Sequence, residues 1–373
     1  MSSTWSYWEI APIFEKQDVV IIGSGIVGIN TAIAIKTQNP NAKVLVIDRK
    51  YPGLGASTKN AGFACFGSPS EIFDDINTTG EDATFQLIKN RWEGLTYLQE
   101  LVDPKEMEFQ QNGSFELFFK GDENLEQVLD QFSLIEKIAC EALGEHSVFN
   151  IRDNPYFPHL SSKAIYSKHE GSLNPMSMMN SLSAKAKKMG INFLYGIEVS
   201  KIEKNKVNTK SGKTIDTDRI AICANGFSTG LIEIDDVKCV RNQVLISEPI
   251  PNLKWIETFH LNKGYLYFRN YQGRLLIGGG RDMDHEGEST DLFGENQKII
   301  EYLEDLSLNI ILEKKDVSFQ HSWSGILGVG KSKQPIIEKI SDGIFAGIRL
   351  GGMGIAIGSL VGKKLAALVL SDS

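Results

Sequence analysis

"DVVIIGSGIVGINTAIAI", Asp18 to Ile35, joins an unbroken apolar run to a helix-like repeat through three glycines. Val19 to Ile22 predicts a strand buried on both faces, as in a parallel sheet. Gly23 allows the tight turn after it, Gly25 carries no side chain to block a pyrophosphate, and Gly28 lets the helix close on the strand. The N–H groups at the helix start, around Ile26 and Val27, favour an anion. The next apolar run, "KVLVID", ends at Asp48, 20 residues beyond Gly28, where a carboxylate can accept bonds from a ribose; Arg49 follows it. This predicts a dinucleotide-binding unit, and FAD and NAD both fit it.

With 373 residues and 42% hydrophobic content the chain can bury a large core in one large domain or two interleaved ones. Its 39 basic and 47 acidic residues leave a net charge of −8, which removes the broad attraction that nucleic-acid and anionic-membrane binders use. Cys65, Cys140, Cys223 and Cys239 show no C-x-x-C spacing, so neither a metal site nor a disulfide framework is expected, and a reducing, cytoplasmic location fits best. The N-terminal "MSSTWSYWEIAPIFEKQ" lacks the pattern of a signal peptide. The longest apolar runs, Val19 to Ile35 and Gly354 to Leu370, are interrupted by glycines, Asn30, Lys363 and Lys364, and predict buried elements rather than membrane spans.

Strand-like runs at both ends alternate with helical patterns, and a strand-rich block lies between Val240 and Gly280. The expected fold is α/β: a Rossmann-like, doubly wound nucleotide layer interrupted by an antiparallel sheet.

The choice of nucleotide rests on "GLGASTKNAGFACFGS", Gly53 to Ser68. "GASTKNAG" resembles the second glycine-rich motif of the D-amino-acid oxidase, glycine oxidase and sarcosine oxidase superfamily of FAD enzymes. Further segments are similar in family order: "GSLNPMSMMNSLSAKAKKMGINFLYGIEVSKIE", "RIAICANGFST", "VRNQVLISE", "GRLLIGGG", "SWSGI" and "DGIFAGIRLGGMGIAIGSLVGKKLAALV". The resemblance covers nearly the whole chain. It implies an FAD-binding domain of residues 1–80, 150–235 and 325–373, and a substrate domain of 81–149 and 236–324. It places Ser57, Thr58, Asn60, Ala61 and Gly62 along the flavin and phosphates, Val199 at the adenine, and Ala224 and Gly226 at a strand end beside the cofactor. Gly351, Gly352, Met353 and Gly354, at the start of the last apolar helix, can offer backbone donors to the far end of the ring.

The implied reaction is oxidation of a C–N bond of a small amine or amino acid, with a hydride passing to flavin N5 and electrons going on to oxygen or another acceptor. Such chemistry needs positioning more than a nucleophile–base device. An arginine clamp for a substrate carboxylate is expected from the resemblance, yet Leu327 of "SGILGVG" stands where relatives carry it. Arg349, two residues before Gly351, is the expected replacement. Were it engaged elsewhere, a neutral amine would become the expected substrate. Tyr265 and Tyr267 are predicted to share one face of a strand and line the pocket, and His321 with Trp323 to lie near the flavin edge. Arg241, Arg269, Arg274 and Arg281 are predicted at strand edges or on the surface. The positions where relatives attach flavin covalently hold no cysteine or histidine, so FAD is expected to bind non-covalently. Leu276 stands where sarcosine oxidases keep a lysine for oxygen activation, which favours another electron acceptor. A transfer-RNA-modifying oxidase and a flavin-binding subunit without catalysis are the alternatives, and the acidic charge weighs against the first.

Overall fold

The computed structural model describes residues 6–8, 13, 15–51, 55–314 and 316–372. Gly53 and Leu54 of the second glycine-rich stretch, and much of the segment before Gln17, lie outside them.

The apolar strand Gln17–Ile22 sits in the middle of the first sheet. It pairs in parallel with Thr214–Ile222 on one side and Val44–Asp48 on the other. Ile344–Ile348 and Asn192–Tyr195 extend the parallel set outward, and Ile336–Ser341 closes one edge antiparallel. Alternate side chains point to opposite faces. Val19 and Ile21 therefore pack against the helices Ile26–Gln38, Pro175–Lys188 and Gly354–Ser371, while Val20 and Ile22 join a second core with Leu45, Ile220 and Ile348. The helix Gly354–Ser371 is long and apolar enough to cross a membrane, but most of it is buried here. Gly94 of the helix Glu81–Leu101 admits it closely, because a Cβ there would lie 2.1 Å from the Ala356 carbonyl oxygen, and Ser359 Oγ donates to the Gly94 carbonyl.

The second sheet has eight strands in the order Phe319–Val329, Lys238–Ser247, Arg274–Gly279, Leu266–Tyr271, Thr258–Leu261, Ser114–Glu116, Lys163–Ser167 and Asn150–Asp153. Its outer face carries Leu245, Ile277, Phe268, Phe259 and Phe115 against Phe157, Trp255 and the helix Gln297–Leu306. Residues paired across a ladder share a face. The inner face therefore carries a row across six strands: Trp323, Val244, Gly278, Tyr267, His260 and Glu116.

Three expected boundaries shift. The strands at 150–167 pair into the second sheet, the strand Phe319–Val329 carries that sheet past residue 325, and the helix Glu81–Leu101 packs on the nucleotide layer. Ladder pairing and helix contact, rather than order along the chain, decide which layer owns each segment.

Candidate functional site

A cavity of about 770 Å³ runs from the first glycine turn to the inner face of the second sheet. At the nucleotide end, Gly23 has φ +110°, and Gly28 lies where a Cβ would come within 1.9 Å of the Gly23 carbonyl oxygen. Gly25 caps the helix Ile26–Gln38 without a side chain, and Ser57 Oγ accepts from Ile26 N at 3.0 Å. Asp48 holds the same turn: its Oδ2 accepts from Ser24 N and Ser24 Oγ, each at 2.8 Å, and its Oδ1 from Lys50 N at 3.1 Å. A carboxylate accepts about four bonds, so one position remains for a ribose hydroxyl. Arg49 lies over the Phe227 ring, 4.1 Å from its centroid.

Ile26, Val27, Ser57, Thr58, Asn60, Ala61, Val199 and Ala224 line the same cavity, as do Gly351, Gly352, Met353 and Gly354 opposite the second sheet. Positive φ angles of 60° and 88° at Gly351 and Gly352 turn the chain into the helix Gly354–Ser371. Gly28, Gly62 and Gly226 stand behind the wall; a Cβ on the last two would meet the carbonyl oxygens of Leu173 at 2.2 Å and Leu327 at 2.7 Å. Asn242 lines the cavity with its Oδ1 buried and no partner among the described residues, an acceptor left for a bound molecule. The glycine cradle at one end, the second glycine turn at the other and this acceptor between them fit a long dinucleotide such as FAD.

Tyr265 and Tyr267 both line the substrate-side wall, although the strand begins at Leu266 and Tyr265 closes the short turn before it. Burial pushes the Tyr267 hydroxyl up to about 12, against the opposing effect of Asn242 beside it, so it stays protonated.

Two expectations for the substrate end are corrected. Arg349 does not line the cavity: its Nη1 meets Asp236 Oδ2 at 2.7 Å, and its Nε and Nη2 donate to the Gln334 carbonyl at 3.0 and 2.9 Å. Its φ of 63° is left-handed, which turns the side chain away from the glycines that follow it. His321 is exposed on the outermost strand of the second sheet and stacks on Trp323, with centroids 5.7 Å apart. Trp323 instead turns inward and donates Nε1 to the Lys59 carbonyl at 3.0 Å.

Of the arginines predicted at edges, Arg269 is buried and donates to the Leu173 carbonyl at 3.0 Å, and Arg241 pairs with the fully buried Glu288 at 2.8 Å. Arg281 lines the cavity, with its guanidinium 5.6 Å from the Tyr265 centroid and no ion-pair partner among the described residues. Cys65, His260, Glu71 and Lys333 also line the cavity and were not singled out as site residues from sequence. The only local signal for them is their closeness to motif glycines or tyrosines. Glu71 lies between Arg91 and Lys333, at 3.1 and 3.2 Å.

The chain matches the family described as "FAD dependent oxidoreductase" (DAO) over residues 18–368. "Probable oxidoreductase OrdL" of Rhizobium meliloti (strain 1021) is 26% identical over 397 residues, covering 98% of this chain and 85% of that protein. Sarcosine oxidase subunit beta of Rhodobacter capsulatus is 23% identical over 95% of this chain and 87% of its own length. Among solved structures, L-proline dehydrogenase from P. horikoshii aligns with a TM-score of 0.76 at 17% identity, covering 96% of this chain and 94% of that one. Glycine oxidase from Geobacillus kaustophilus gives 0.76 at 18%, covering 96% and 95%. These two share its fold. The family match spans both sheets and the whole cavity wall, and the chain belongs to the DAO family of FAD-dependent oxidoreductases.

Proposed function

We propose that this chain oxidises the C–N bond of a small amino acid, with Arg281 taking the substrate's carboxylate and FAD bound without a covalent link. Arg349 is fully engaged, which by itself would point to a neutral amine; the observation that carries an amino acid instead is the Arg281 guanidinium, which lies on the cavity wall beside Tyr265 and lacks an ion-pair partner among the described residues. An unpaired guanidinium in a concave site is matched by a carboxylate through two parallel bonds. Tyr265 and Tyr267 bound the aliphatic part of the substrate, and the Tyr267 hydroxyl is a donor there. When bound, FAD supplies the hydride acceptor at its ring N5. Leu276, packed with Ala61 and Val244, gives no cation for oxygen activation, which supports an acceptor other than oxygen. The names of relatives and fold neighbours, sarcosine oxidase, L-proline dehydrogenase and glycine oxidase, agree with an amino-acid substrate.

The test is a redox-dye assay across amino acids and the corresponding neutral amines. Arg281→Leu should lower kcat/KM for amino acids about ten- to a hundredfold, from the loss of roughly 1.5–3 kcal/mol in a charge-assisted pair. Arg281→Lys should restore only part of it. Equal effects on neutral amines, or a wild-type preference for them, would overturn the carboxylate reading. Acid precipitation should leave the flavin in the supernatant; flavin held in the pellet would overturn the non-covalent reading.

A further inference from the structure

The inner-face row of the second sheet sets His260 between Tyr267 on one neighbouring strand and Glu116 on the other. Two more groups approach it from elsewhere in the chain: Cys65, in the loop after the short strand Phe63–Ala64, and Glu170, just before Gly171–Ser172. His260 is only 8% exposed, yet it lines the cavity beside Cys65. Its Nε2 lies 3.6 Å from Glu170 Oε2 and makes no hydrogen bond among the described residues. Glu170 cannot swing away, since Oε1 accepts from Phe66 N at 3.0 Å and Oε2 from Ser114 Oγ. A buried imidazole aimed at a fixed carboxylate, on the wall of a substrate cavity, is more than sheet packing requires. Val244 and Trp323 fill the same row with apolar surface.

Amino acids arrive mostly as ammonium ions, and a nitrogen without a free lone pair cannot assist loss of the neighbouring hydride. We propose that His260, oriented by Glu170, accepts the proton the substrate's ammonium group must lose before its C–N bond is oxidised. This rests on the amine substrate argued above. The N–H bond breaks, nitrogen keeps the electron pair, and the imidazole gains the proton; nothing is oxidised in this step. The Glu170 charge, 3.6 Å from Nε2, favours the proton on that nitrogen, which leaves the Nδ1 lone pair as acceptor.

The surrounding groups set the pH range. Burial pulls the His260 pKa down, but the fixed Glu170 carboxylate beside Nε2 pushes harder, so it titrates above the ordinary 6.5. Cys65 is itself raised by burial and stays a thiol. Tyr267 stays protonated. Burial lifts Glu116 to about 6, and its oxygens are taken up by Ser68 Oγ at 2.8 Å, Ser70 N at 3.0 Å and Ser70 Oγ. Below its pKa His260 already holds a proton and cannot accept another, so kcat/KM should rise as pH rises through that value.

The experiment combines pH profiles of kcat/KM with proton NMR of the histidine C2–H signals in the apoprotein, for wild type, His260→Gln and Glu170→Gln. Of the six histidines, the signal lost in His260→Gln identifies the residue. The proposal expects its pKa above the ordinary value in wild type and lowered in Glu170→Gln, because the raising carboxylate charge is gone. The alkaline-rising limb should move to lower pH by the same amount in Glu170→Gln. It should vanish in His260→Gln, with a loss of about a hundredfold or more in rate at high pH and flavin still bound. A limb that stays in place in both variants belongs to the substrate's own ammonium and overturns the proposal while the amine reading stands. Wild-type enzyme that turns over no amine overturns both.

Discussion

Replacing Asp48 tests the adenosine half-site, and the structure separates two losses that this substitution causes. In Asp48→Ala the Ser24 and Lys50 N–H groups and the Ser24 hydroxyl lose their acceptor. Ser24 is 5% exposed, so water compensates poorly, and the apoprotein should lose about 1–3 kcal/mol of stability. The remaining carboxylate position is the one available to a ribose hydroxyl. Losing that charge-assisted bond costs another ~1.5–3 kcal/mol, which weakens FAD by about one to two decades in Kd. Ser24→Ala removes one of the two bonds Ser24 makes to Asp48 but leaves the ribose acceptor, so its Kd should change by no more than about threefold. Titrating each apoprotein with FAD and following flavin fluorescence measures both. Unchanged affinity in Asp48→Ala would refute the ribose contact, and an equal loss in Ser24→Ala would show that only the shape of the turn matters.

Arg349→Ala should destabilise the fold by about 1–3 kcal/mol by stranding Asp236 and the Gln334 carbonyl, while KM for the substrate stays within about twofold once flavin is saturating; a large rise in KM would return Arg349 to the substrate. Glu71 is held down at about 2: burial raises it, but Arg91 and Lys333 outweigh that. A depressed carboxyl contributes its stability above the unfolded value of 4.5 and loses it as pH falls towards 2. Neighbouring Asp75, raised by burial and by Glu71, works in the opposite sense and softens the loss. Urea unfolding should therefore show wild type losing up to about 3 kcal/mol between pH 5 and 2 relative to Glu71→Gln, and parallel pH curves would refute the pairing.

The nucleotide half was legible because its signals are local. An apolar run buried on both faces, glycines two and then three residues apart and an acid at the next strand end lie within Asp18 to Asp48. The substrate half was legible only where alternation survived, as at Tyr267. His260 escaped because all four residues of Thr258–Leu261 are buried, so no polar-out contrast marks its face. Its partners Cys65 and Glu170 come from segments far along the chain, and ladder register, which brings such segments together, is not written in either strand alone. Asn150–Asp153 shows the same limit, since a fully exposed edge strand carries no apolar pattern. Arg349 misled because closeness in sequence to Gly351 suggested closeness in space, and one left-handed residue undoes that inference. Arg281 follows Gly280, itself left-handed at φ 73°, and the turn delivers it to the cavity.

The strand order of the first sheet also dictates how the molecule can be born. Gln17–Ile22 leaves the ribosome some 200 residues before its neighbour Thr214–Ile222, and Ile344–Ile348 comes later still. During synthesis an apolar strand of the nascent chain therefore waits with one edge open, a state prone to mispairing that a chaperone would shield. Cofactor capture must come after translation of the helix Gly354–Ser371, since its leading turn forms the cavity's opposite wall. Flavin supply would then act on a chain translated at least through that helix, drawing it out of the pool of partly folded chains by binding.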